Sequence, residues 1–113
     1  MDQSAIAMTG IELPFTSAAL RTVLGWGLNP DASPHSHWQI AQWCDAFWCL
    51  YLDADAPSDI ERLLPILADV DCQWDLFLAN SYSLEELRTL DLEQVLLPLA
   101  WFDDWLHQVA SAG

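Results

Sequence analysis

The run over residues 36–54 reads SHWQIAQWCDAFWCLYLDA, and it leaves the rest of the chain few ways to pack. Placed on a helix at about 100° per residue, Leu50, Trp43, Phe47, Ile40, Tyr51, Cys44, Trp48, Ala41 and Leu52 follow one another across a little over half the circumference. Gln39, Gln42, Asp45 and Asp53 share the remaining arc with Ala46, Cys49 and Trp38. One neighbour cannot cover an apolar arc that wide. The stretch is therefore expected to be a central helix with other helices around it.

A chain of 113 residues makes one domain, and its 53% hydrophobic content supplies a core without disulfide or metal staples. Seven Trp mean that large rings, each burying on the order of 200 Å², dominate the core or a binding surface. Charge is more restrictive. Three Arg, no Lys and seventeen carboxylates give a net charge of −14. Direct binding to nucleic acid needs cations on phosphates, so it is excluded as an expectation. An anionic membrane surface is disfavoured for the same reason. A basic protein partner is favoured, since long-range attraction speeds the encounter. Cys44, Cys49 and Cys72 are odd in number and lack framework spacing, which fits a reducing compartment. No positive n-region precedes Glu12 and Pro14, and the apolar run of the central helix is too short and too interrupted to span a bilayer. The expected location is cytoplasmic.

Residues 1–14 carry little periodicity and end at Pro14, so an extended, fraying lead-in is expected before a helical domain over 15–113. Thr16 or Ser17 caps a first helix with Leu20, Val23 and Leu24 inward, and Gly25 and Gly27 stop it. The segment LNPDASPHS is a loop, Ser36 caps the central helix, and Pro57 closes the connection after it. Ser58 with Glu61 forms a capping box for a third helix, its inner residues Ile60, Leu63, Leu64 and Leu67, and Pro65 should kink or split it. Asp71 opens a further short helix that ends near Asn80. Ser83 with Glu86 makes a second capping box, and Asp91 with Gln94 caps the last helix. That helix has Leu92, Val95, Leu96, Leu99, Phe102, Leu106 and Val109 on its inner stripe and a bend at Pro98. No alternation of period two occurs. The expectation is an all-α, single-domain bundle of five or six helices, irregular or orthogonal.

No metal or cofactor site is expected. His35 and His37 are read as solvated loop residues, and Cys44 and Cys49 would point about 140° apart on a helix. No G-x-S-x-G, H-E-x-x-H or P-loop string occurs, and His107 has Asp103 and Asp104 one turn before it, a local hydrogen bond in the making. No enzyme is expected. The carboxylates sort by what a helix dipole wants. Asp59, Glu61, Glu85, Glu86 and Glu93 lie in first turns, where each gains roughly 0.3–1 kcal/mol. Asp53, Asp55 and Asp69 lie at or past expected C-termini, where the dipole opposes them, and Asp45, Asp75 and Asp104 sit mid-helix without a basic neighbour. A local cost without local return points to an outside partner. Asp103 falls on the inner stripe, where it would have to pair with Arg21, Arg62 or Arg88. Trp101, opposite the core stripe, and Trp105, at its margin, supply aromatic area beside Asp104. The candidate partner-binding residues are thus Asp45, Asp53, Asp55, Asp69, Asp75, Trp101, Asp104 and Trp105.

In size, acidity and helical content the chain resembles, in a general way, the immunity proteins that bacteria and phages make against toxins, a likeness that no motif carries. The leading expectation is an acidic inhibitor that neutralises a basic, nuclease-like or other toxin by covering its substrate cleft. Two alternatives are a nucleic-acid mimic of the phage anti-defence type, which needs carboxylates in a row, and an acidic adaptor or chaperone-like subunit holding a hydrophobic helix. The sequence leaves the oligomeric state open.

Overall fold

Ser36 starts the central helix by a two-way exchange with Gln39. Its hydroxyl accepts from the Gln39 N–H at 3.1 Å, and the Gln39 side chain accepts from the Ser36 N–H at 3.0 Å. In the computed structural model, which describes residues 10–112, this helix runs His37–Leu50 and is α2. The other elements are α1 (Ser17–Leu28), α3 (Ser58–Glu61), α4 (Leu64–Ser81), α5 (Leu84–Thr89), a 3-10 turn (Leu92–Gln94) and α6 (Leu99–Ala112). The described residues contain no strand. The protein is an all-α bundle.

Helix α2 packs against α4, α1 and the 3-10 turn, while α6 packs against α1 and α4. Two helix pairs, α2 with α4 and α1 with α6, therefore share one core. Its largest buried side chains include Trp43, Phe47 and Phe102, with Leu20, Val23, Leu24, Ile40 and Leu67 between them. Phe15 stacks on Phe47 at 5.0 Å between centroids and meets Trp43 edge-on at 5.4 Å. Residues 10–14 join no helix, and they are not frayed. Ile11 is fully buried, and Leu13 accepts a 3.4 Å hydrogen bond from the Trp43 indole. The first nine residues of the expected lead-in lie outside the described residues, as does residue 113 of the helical domain.

Several boundaries differ from the sequence expectation. Helix α2 ends at Leu50, not Ala54, so Leu52 belongs to the following loop and is 54% exposed. Gly25 and Gly27 do not stop α1. The helix passes through both, and the Phe102 ring packs where a Gly27 side chain would be. Pro57 takes the N-cap position of α3, and Ser58 forms no capping box. Pro65 does split the third helix, since α4 restarts with it in the first turn, where its missing N–H costs nothing. Asp71 opens no helix, because α4 is continuous over 18 residues. The Ser83 and Glu86 capping box is present. Asp91 caps only the 3-10 turn, accepting from the Glu93 N–H at 3.1 Å, and α6 begins after Pro98 instead of bending there. This break rotates the stripe. Val95 and Leu97 are buried, while Leu96 is 55% exposed and Leu99 43%. Asp103 turns out to solvent and sits 3.6 Å from His107, with none of the three arginines on it.

Candidate functional site

Helix α4 brings Asp69 and Gln73 to one face by their i,i+4 spacing, and α6 presents Trp101, Asp104, Trp105 and Gln108 in the same way. Where the two helices meet, these six side chains line an open cleft of about 270 Å³. The Trp105 ring is almost fully buried, and its indole N–H donates to Asp69 Oδ2 at 2.8 Å. Gln73 reaches the other Asp69 oxygen at 3.4 Å. Trp101 is half-buried, with its ring 6.3 Å from that of Trp105 and edge-on to Phe77 at 6.0 Å. Asp104 is exposed on the rim.

Of the eight candidate residues, the structure thus unites Asp69, Trp101, Asp104 and Trp105. For three of these the reason behind the expectation does not hold. Asp69 lies in the first half of α4 rather than at a C-terminus, and the Trp105 indole gives it an internal partner. Trp105 is a core residue with one polar edge in the cleft. Trp101, expected to face away from the core, packs partly on it. Gln73 and Gln108 were missed. Each stands four residues after a candidate aspartate, Asp69 and Asp104, so the i,i+4 rule that pairs helix neighbours is the signal that finds them.

Asp45 and Asp75 belong to a second group, on the other flank of α4. Both act on Asp71, whose carboxyl is pushed up to about 6 by partial burial first, then by the charges of Asp45 and Asp75, with Asp45 within hydrogen-bonding reach. The Cys49 thiol donates to Asp45 Oδ1 at 3.6 Å. Neighbouring Cys44 is fully buried, and burial pushes its thiol well above the usual range, so it packs as a small hydrophobe. A carboxylate pair such as Asp45 and Asp71 is what acid–base chemistry uses, but the pair lines neither the α4–α6 cleft nor the shallower depression beside Arg62 and His107. Asp53 and Asp55 are exposed in the loop over 51–57, which follows the C-terminus of α2.

His37 is not a solvated loop residue. It opens α2 at 1% exposure, and its ring joins three segments. Nδ1 accepts from the Leu97 N–H at 2.9 Å, which leaves the proton on Nε2 to donate to the Gly27 carbonyl, also at 2.9 Å. Burial holds its pKa below the ordinary histidine value, the Gly27 bond opposing in part. Among the described residues, no three His, Cys, Asp or Glu side chains converge as a metal site, and no helix is long and apolar enough to cross a membrane. No family model, curated protein or solved structure matches this chain.

Proposed function

We propose that the chain is a stoichiometric inhibitor of the immunity-protein kind, which binds a basic toxin-like protein and covers the cleft that normally takes its phosphate-bearing substrate. One observation carries this reading: among the described residues, no carboxylate forms an ion pair with an arginine, in a chain whose net charge is −14. The acids repel one another and, among the described residues, no arginine is paired with them, so a cationic surface is the complement that lowers their energy. Carboxylates would stand in for phosphate charges, and Trp101 would supply desolvated area at the centre of the contact. The reading assigns no catalytic residue. A nucleic-acid mimic is less well supported, because the candidate aspartates are split among the α4–α6 cleft, the other flank of α4 and the loop over 51–57 instead of forming one row.

The test is co-expression with the product of the neighbouring gene, followed by stopped-flow kinetics on the purified pair. Support would be relief of that protein's toxicity, a 1:1 complex, and an association rate that falls at least tenfold between about 20 and 300 mM NaCl as the Debye length shrinks. No relief of toxicity, or an association rate indifferent to salt, overturns the proposal.

A further inference from the structure

We infer that the α4–α6 cleft is a seat for a single arginine side chain of the basic partner; this rests on the inhibitor reading and names the group that it would grip. The cleft is rich in acceptors. Asp69 receives hydrogen bonds only from neutral donors, the Trp105 indole at 2.8 Å and the Gln73 amide at 3.4 Å, and Asp104 adds a second carboxylate at the rim. With the Trp105 indole N–H committed to Asp69, and two carboxylates but no cation in its lining, the cleft favours a ligand that brings donors and positive charge.

The walls narrow the choice further. Trp101 and Trp105 stand at 68° to one another, and Phe77 meets the Trp101 ring at 90°, so the indole is propped before anything binds. A planar guanidinium stacks on an indole face while its fork of N–H groups reaches a carboxylate in the same plane. An ammonium is a compact, strongly hydrated point charge and gains less from such a wall. Anions are repelled by the two aspartates. An apolar helix laid over the cleft would bury both carboxylates without a countercharge, which is costly. The Asp69–Trp105 bond fixes the carboxylate in advance, so docking orders few side chains.

The experiment uses the whole chain, uniformly labelled with nitrogen-15, and follows the indole N–H resonances of Trp101 and Trp105. The probes are three blocked tripeptides, acetyl-Gly-X-Gly-amide, with arginine, lysine or citrulline at the centre. Citrulline keeps the shape of arginine and removes its charge. The arginine peptide is expected to shift both indole resonances saturably, at least fivefold more tightly than the citrulline peptide, with lysine between. Asp104→Asn, at an exposed position that packing does not need, should weaken the arginine peptide fivefold or more. Asp69→Asn, which keeps an acceptor for the indole, should do the same. Equal responses to arginine and citrulline, or shifts unaltered by Asp104→Asn, overturn the inference. If the peptides fail while a neighbouring toxin still binds with a salt-dependent association rate, the arginine seat falls and the inhibitor reading stands. If the arginine peptide binds as described and no basic protein does, the cleft keeps its specificity and the inhibitor reading falls.

Discussion

His37 and Asp71 pull the stability of this protein in opposite directions with pH. The His37 ring is neutral in the fold because burial disfavours its charge, and its pKa lies below that of the unfolded chain. The unfolded state therefore takes up a proton first as pH falls past about 6.5, and stability drops through that range. Asp71 behaves the other way. Its carboxyl holds a proton up to about 6 in the fold but only to about 3.9 when unfolded. That contribution is fully present below the unfolded value and is lost as pH rises through the folded one. Asp71→Asn should thus raise the unfolding free energy at pH 7 by about 1 kcal/mol, solvent access screening the rest. Chemical denaturation checks this, and the gain over the native chain should close by about pH 4. His37→Ala should cost on the order of 3 kcal/mol at neutral pH, because it strands the buried Leu97 N–H and Gly27 carbonyl. The same variant should lose the fall in stability below pH 6.5.

At the scale of the helices, two glycines two positions apart make opposite predictions. Gly25 has open space where a side chain would go, so Gly25→Ala should stabilise α1 by about 0.5–1 kcal/mol. Gly27 has the Phe102 ring there, and Gly27→Ala must push α1 from α6, at a cost of about 1–3 kcal/mol. Thermal unfolding of the two variants should move the midpoint up and down respectively. This pair also shows what the sequence could and could not tell. Glycine is a local stop signal, but the helix continues through both positions because a partner distant in the chain fills the groove that Gly27 leaves. The same holds for Asp71, a good helix opener that lies mid-helix because Val70 and Trp74 on either side of it face the core. Caps at Ser36 and Ser83 were legible, since a capping box is a contact between residues three apart. Within the candidate site, Trp101, Asp104 and Trp105 were legible because one helix carries them. The bond from Trp105 to Asp69 spans 36 positions and has no local trace.

For the molecule as a whole, the uncompensated charge has two consequences of opposite sign. Self-repulsion at −14 opposes the compact state more than the expanded chain, where the same charges stand farther apart. Raising NaCl from about 0.05 to 1 M shortens the Debye length to roughly 3 Å and removes most of that repulsion. The melting midpoint should rise by about 4–8 °C, which for a domain of this size corresponds to about 1 kcal/mol. Chloride is the right anion for the scan, because sulfate would add a separate stabilisation by strengthening apolar burial. The contact between exposed His107 and Asp103 is too weak to reverse this trend when salt screens it. Binding to a cationic partner should respond the other way, since the field that destabilises the free chain is the one that speeds the encounter. A midpoint that stays flat or falls across the scan would mean that the carboxylates are already offset within the fold. The case for a cationic partner would then lose its physical basis, however tightly the α4–α6 cleft held an arginine.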